Sequence, residues 1–158
     1  MPVSNDEFRA VLGRFASGVT VVTTIDAEDR PRGMTVSAFS SISLDPPLVA
    51  VSIDRGTASH AAITHSGVFV VNILADDQEV LSRHFASATA DKFEGIAFSS
   101  GLEGIPVLTG TLATLECRTK HVYEGGDHTI FVAEVEQARI ADGAPLLYFR
   151  GGYARLVL

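Results

Sequence analysis

The chain has 158 residues, one domain's worth at the usual size of about 150 residues, and long enough to bury a core without disulfide or metal staples. Its 12 Lys and Arg against 19 Asp and Glu give a formal net charge of −7. That excludes the basic footprint on which nucleic-acid binders and proteins adhering to anionic membranes depend. A single cysteine, Cys117, excludes an intrachain disulfide and a cysteine-rich zinc site, so a cytoplasmic, thiol-tolerant compartment is expected.

The first residues, Met1 to Glu7, lack the basic and then apolar pattern of a secretory leader. No apolar run approaches the roughly 18 residues that cross a bilayer; Leu48–Ile53 and Val68–Leu74 are strand-sized. Yet 46% of residues are hydrophobic and the mean hydropathy is +0.25, high for so small a soluble monomer. Apolar surface covered by a second copy is the expectation, a homodimer being the commonest case.

In chain order, Ser4 and Glu7 form a capping box, and Phe8, Val11, Leu12 and Phe15 make one apolar stripe of a helix that Gly18 should stop. From Val19 the period becomes two, with Val19, Val21, Thr23 and Ile25 on one strand face. Asp29–Gly33 reads as the turn into a neighbouring strand, Met34 to Leu44, which Asp45-Pro46-Pro47 ends. Leu48–Ile53 is a short apolar strand, Thr57 caps a helix through about Thr64, and Val68–Leu74 returns as strand. Asp76 and Glu79 open another helix with Val80, Leu81, His84 and Phe85 on one side. Ala86–Gly110, rich in glycine and serine, reads as irregular. Thr111–His121, Thr129–Ile140 and Leu146–Phe149 read as closing strands. Many strands, short helices and no β-α-β alternation favour a closed antiparallel barrel over a doubly wound sheet, in one domain spanning residues 1–158.

The chain has no glycine-rich dinucleotide fingerprint, no phosphate-loop lysine motif and no Gly-x-Ser-x-Gly elbow. Its five histidines include no zinc-protease pair, and no metal is expected. Three segments could carry chemistry. Gly33–Ser43 crowds small and hydroxylic residues into a strand; it either tolerates a packed helix or leaves backbone open for a flat ligand. Asp54-Arg55-Gly56-Thr57-Ala58-Ser59 is either an ordinary helix cap or a phosphate-binding helix start, for which Arg55, Arg83 and Lys92 could supply positive charge. Gly125-Gly126-Asp127-His128 is either a hairpin turn with a solvated histidine or a loop presenting an imidazole to a substrate. Cys117 alternates with Ala113 and Leu115 and reads as a buried core thiol.

In order and spacing these fragments resemble the short-chain flavin reductase family, the reductase components of two-component flavin-dependent monooxygenases. The residues carrying the likeness are Phe15–Thr24, Gly33–Ser41, Ser43–Val49, Phe69–Leu74, Asp91–Phe93, Gly126–His128 and Leu147–Tyr153. The resemblance implies a mainly β fold, a six-stranded antiparallel Greek-key split β-barrel with a few short helices. It also implies a homodimer with FMN or FAD near the subunit interface. Met34, Thr35, Val36, Ser37 and Ala38 match the strand against the flavin ring, and Ser52, Ile53, Asp54 and Arg55 match the segment beside it. Thr57 and Ser59 match the phosphate-holding helix start, with Arg83 and Lys92 as further phosphate candidates. His128 matches a catalytic residue on the nicotinamide side, with Tyr153 nearby. The implied activity is hydride transfer from NADH or NADPH to the flavin, which then serves a separate monooxygenase. Two rivals stand beside it: a flavin-binding electron carrier that never meets nicotinamide, and a split-barrel oxidase of the pyridoxine-phosphate type.

Overall fold

A computed structural model describes residues 2–158. The chain opens with α1 (Asn5–Leu12), whose capping box is formed as expected: Ser4 Oγ accepts from the Glu7 amide and the Glu7 carboxylate accepts from the Ser4 amide. The helix ends earlier than Gly18, at a Gly13 cap whose amide bonds back to Arg9 O. Ser17–Gly18 instead forms a short strand, β1. None of the α1 residues is buried. Its apolar stripe, with Phe8 57% and Val11 67% exposed, is therefore left largely open, Phe8 and Leu12 lining a shallow cleft with Tyr148 and Phe149.

Next come β2 (Thr20–Ile25), β3 (Pro31–Val36), β4 (Phe39–Ser43), β5 (Leu48–Asp54), α2 (Ala58–Ser66), β6 (Val68–Ile73) and α3 (Glu79–Ala86). The expected single strand from Met34 to Leu44 is two strands, broken at Ser37–Ala38. The stretch expected to be irregular holds a small ribbon of β7 (Phe98–Ser100) and β8 (Pro106–Leu108). The closing strands are β9 (Ala113–Gly125), β10 (His128–Ile140), β11 (Leu146–Phe149) and a further β12 (Gly152–Arg155).

The main sheet has seven strands, not six, in the order β3-β2-β6-β9-β10-β5-β4, while β1, β11 and β12 form a separate sheet. All strand pairings are antiparallel. The two edge strands, β3 and β4, are consecutive in the chain. Laid flat, seven strands would put those edges about 29 Å apart at about 4.8 Å per interval. The three residue steps from Val36 to Phe39 reach at most about 11 Å. The sheet must curl until its edges meet, and register shifts in the β9–β10 pair at Val132/Ala133 and Val135/Gln137 supply local bends. The Ala38 carbonyl accepts from the Ser52 amide, fastening the link to β5.

Curling leaves β2 and β6 buried on both faces. Val22, Val71, Phe69, Ile53 and Phe131 fill one cluster, and Val21, Leu74, Phe85 and Leu146 fill another. Alternation in β2 therefore separates two cores, not core from solvent. Its threonines are satisfied by carbonyls: Thr20 Oγ1 donates to Val36 O, Thr23 Oγ1 to Pro106 O and Thr24 Oγ1 to Val68 O. Buried Asn72 donates to Val21 O and accepts from the Leu108 amide, tying β2, β6 and β8 together. Cys117 is fully buried within the first cluster. Burial first, then the charges of Glu116 and Glu136, push its thiol up to about 12, so it is not a nucleophile at neutral pH. No helix among the described residues is long and apolar enough to cross a membrane.

The β2–β3 hairpin that carries the later site strand is closed by Asp26. Partial burial opposes its charge. The Arg30 amide, the Arg32 guanidinium, the Glu28 amide and the charge of Arg30 overcome that, and hold the carboxyl well below its ordinary 3.8. A depressed folded-state value means stabilisation that is complete above the unfolded value and fades as pH falls beneath it. Asp26→Asn should therefore lower Tm at pH 7, and the gap to the parent protein should narrow as pH drops below about 4. Thermal melts across that range check it; a gap independent of pH would contradict it.

Candidate active site

Between the edge strand β3 and the N-terminus of α2 lies a cavity of about 490 Å³. One wall is the β3 backbone from Pro31 to Thr35, another is the first turn of α2, and the third is Phe85, the loop from Ala86 to Ala90, Lys92 and Phe93. Gly33 sits where the third wall meets the strand. A Cβ there would lie 3.0 Å from Phe85 Cε1 and 3.3 Å from Phe93 Cζ, so only glycine lets both rings pack against the strand.

The α2 end is rich in donors. Thr57 caps the helix, its Oγ1 accepting from the His60 amide and donating to Asp54 O. The amides of Ala58 and Ser59 belong to the first turn, which has no helical carbonyls to bond, and both residues line the cavity. Ser59 is only 4% exposed, and its hydroxyl has no hydrogen-bond partner among the described residues. Helix α2 is held in place through His60, whose Nε2 meets Thr129 Oγ1 of β10 at 2.8 Å.

Lys92 stands on the cavity wall. Its Nζ donates to Phe85 O (2.8 Å) and Gly33 O (3.2 Å), and no carboxylate lies within ion-pair distance of it among the described residues. Burial holds the ammonium below its ordinary value. His84 Nε2 meets Lys92 O at 2.7 Å, so the last turn of α3 grips this residue at both its side chain and its backbone.

Met34, Thr35, Thr57, Ser59 and Lys92 thus meet in one cavity. Thr35 and Ala86 also line a smaller cleft of about 200 Å³ with Val19, Ser37, Tyr148 and Tyr153. Tyr153 is fixed there by a 2.7 Å hydrogen bond with Ser82 and an edge-on contact with Tyr148. Arg83 does not line the main cavity. It lies over the Tyr153 ring at 4.8 Å and pairs with Glu79. Val36 and Ile53 point into the core, leaving only their backbones for a ligand. Ala38 is exposed in the link between the sheet edges, and Ser52 is half-buried on β5.

Asp54, Arg55 and His128 form a third group at the end of the β5–β10 pair, where His128 faces Asp54 and the Arg55 amide donates to Asp127 O. His128 Nδ1 donates to the Asp127 carboxylate at 2.7 Å, a bond that lowers the pKa of Asp127 and leaves Nε2 for other partners. His128 does not line the main cavity; the turn Arg55–Gly56 that leads into α2 connects the two places. No cluster of three or more metal-ligating side chains occurs among the described residues. Cavity residues outside the candidate set include Arg32, Phe85, Ser87, Thr89 and Phe93, whereas Gly33 opens the Gly33–Ser43 segment already singled out. The only trace of this wall in the sequence was the short Asp91-Lys92-Phe93 match, set in a stretch without periodicity.

Residues 12–157 match the family model described as "Flavin reductase like domain". The chain belongs to that family. It is 45% identical over 152 residues to an NADH-dependent flavin reductase of a Rhodococcus species, covering 95% of this chain and 85% of the relative. It is 43% identical over 153 residues to the reductase component of a 4-hydroxyphenylacetate 3-monooxygenase from Thermus thermophilus, covering 96% and 97%. Among solved structures, it superposes on a Streptomyces globisporus NADH:FAD oxidoreductase in complex with NAD and FAD fragments, with a TM-score of 0.91 and 37% identity, covering 99% and 98%. Family membership accounts for the absence of a Rossmann fingerprint.

The crowding at Gly33 gives a direct check on the wall. Gly33→Ala should force Phe85 and Phe93 aside and cost about 1–3 kcal/mol of stability, read as a lowered Tm. An unchanged Tm would show that the rings yield freely and that the glycine is not required by packing.

Proposed function

We propose that the chain is an NADH-dependent flavin reductase that binds FMN or FAD in the β3–α2 cavity and delivers reduced flavin to a separate monooxygenase. One observation carries the reading. In a protein of net charge −7, the cavity gathers a cation with no carboxylate partner, a helix N-terminus and the Ser59 hydroxyl beside a strand whose small residues leave its backbone open. The first three fit the phosphate of a flavin nucleotide and the fourth fits its flat ring. NADH as the reductant is supported by the Rhodococcus relative, and the monooxygenase partner by the Thermus one. NADPH remains the alternative donor.

When bound, the flavin supplies the ring that accepts hydride from the reduced nicotinamide. The chain's part is to orient and to exclude water. Ser59, the α2 amides and Lys92 hold the phosphate; Met34 and Thr35 support the ring, with the backbones of Val36, Ser37 and Ala38 continuing the platform. Ser52 to Arg55 flank it. His128, with Nδ1 engaged by Asp127, offers Nε2 to the nicotinamide amide or pyrophosphate, and Tyr153, in the neighbouring cleft with Thr35 and Ser37, is taken as a second contact for the nicotinamide. Arg83, engaged with Glu79 and Tyr153, reaches a phosphate only by leaving that place.

The same reading takes the curled sheet as a split β-barrel forming a single domain over residues 1–158. It takes the protein as a cytoplasmic homodimer, in which a second copy covers the apolar stripe of α1. The exposed Phe8, Val11, Leu12 and Phe15 support this, since a stripe of that size left in water would be costly.

Catalytic protein with NADH and excess FMN or FAD should consume many equivalents of NADH per site, followed by loss of nicotinamide absorbance. A stably yellow protein without turnover would leave only a flavin carrier. His128→Ala should raise KM for NADH about tenfold while flavin affinity stays within about twofold, the cost of one lost polar contact. Equal weakening of both would remove His128 from the nicotinamide side.

A further inference from the structure

The stretch from Ser87 to Asp91 that joins α3 to Lys92 is exposed throughout. Its hydrogen bonds run among its own residues, back to His84 O and forward to the Phe93 amide. Among the described residues none of them reaches β3 or α2, so this stretch cannot by itself fix where Lys92 stands. Lys92 is fastened instead at two points of its own. Its carbonyl meets His84 Nε2 at 2.7 Å, and its Nζ donates to Phe85 O and Gly33 O. A carbonyl can only accept, so His84 Nε2 carries the proton of the first bond. The imidazole is half-buried on the last turn of α3, edge-on to Phe85.

We infer that His84 is a positioning residue for the phosphate end of the cavity: by holding the Lys92 carbonyl it sets where the lysine side chain begins and so keeps the ammonium in the cavity wall. The inference rests on the flavin reading given above, in which Lys92 serves the phosphate. A lysine side chain loses much rotamer freedom when it is ordered, and a cation fixed before the ligand arrives spares the complex that cost. Phe93 is buried against Phe85 on the far side of Lys92. Removing the imidazole therefore loosens the Lys92 main chain while the aromatic wall stays seated.

The test is equilibrium binding, followed by flavin fluorescence, of FMN and of riboflavin, which has the same ring and no phosphate. His84→Ala should bind FMN about tenfold more weakly than the parent protein, the size of one lost hydrogen bond, while riboflavin affinity stays within about twofold. His84→Gln, whose amide keeps an N–H donor, should recover FMN affinity to within about threefold of the parent. Because His84 acts through Lys92, the two changes should not multiply: in a Lys92→Gln background, His84→Ala should weaken FMN by no more than about twofold. Unchanged FMN affinity in His84→Ala overturns the inference. Equal loss of FMN and riboflavin overturns it as well, since His84 would then only prop the fold, and so does a full tenfold loss in the Lys92→Gln background. If Lys92→Gln alone binds FMN as tightly as the parent, the lysine does not serve the phosphate and the inference falls with that assignment. Failure of the parent protein to bind FMN at all is a different result, one that defeats the flavin reading itself.

Discussion

The short link between β3 and β4 is the constraint on which the rest of the structure depends. Two residues, Ser37 and Ala38, join the opposite edges of a seven-stranded sheet, so the sheet cannot lie flat. Its curl buries β2 and β6 on both faces, which explains the fully apolar and threonine-filled run from Val19 to Ile25. It also leaves β3 with one strand neighbour, β2. On the free side of β3 there is room for α3, for the loop after it and for a ligand cavity. Strand connectivity, secondary structure and site are consequences of one chain-length limit.

An acidic protein that is to hold an anion, as proposed for this one, must supply positive charge locally. Here the solution uses no cluster of arginines. Arg30 and Arg32 serve Asp26, Arg118 serves Glu103 and Glu136, and Arg83 serves Glu79. The cation left for the cavity is Lys92, tethered by main-chain carbonyls that give it a fixed position without neutralising it. Helix amides and the Ser59 hydroxyl complete the set. Such a site is locally positive while the far field of the molecule stays negative.

Much of this was legible in the sequence where a local rule was strong. The Ser4–Glu7 capping box, the Thr57 cap, and the strands Leu48–Ile53 and Val68–Leu74 rest on spacing or side-chain chemistry that neighbours cannot override, and each is found to within a residue or two. The errors have physical causes. Phe15 continues the apolar period of α1, so the end at Gly13 was hidden. The break at Ser37–Ala38 comes from sheet closure, a global demand with no local signature. Phe85 lies on the apolar face expected of α3 and Phe93 in a stretch of irregular composition, so neither was announced as a wall against a strand far away in sequence. The candidate flavin residues were found as segments, but their division between one cavity, a neighbouring cleft and the β5–β10 end required coordinates.

The tether of Lys92 to Gly33 has a consequence for solubility. An edge strand with free main-chain groups is a template on which another chain can extend the sheet. In this molecule Lys92 takes the Gly33 carbonyl, and Phe85 and Phe93 pack against the same residue, so the margin of β3 is interrupted there for an invading strand. The segment that walls the cavity thus also breaks the continuity of the sheet edge at Gly33.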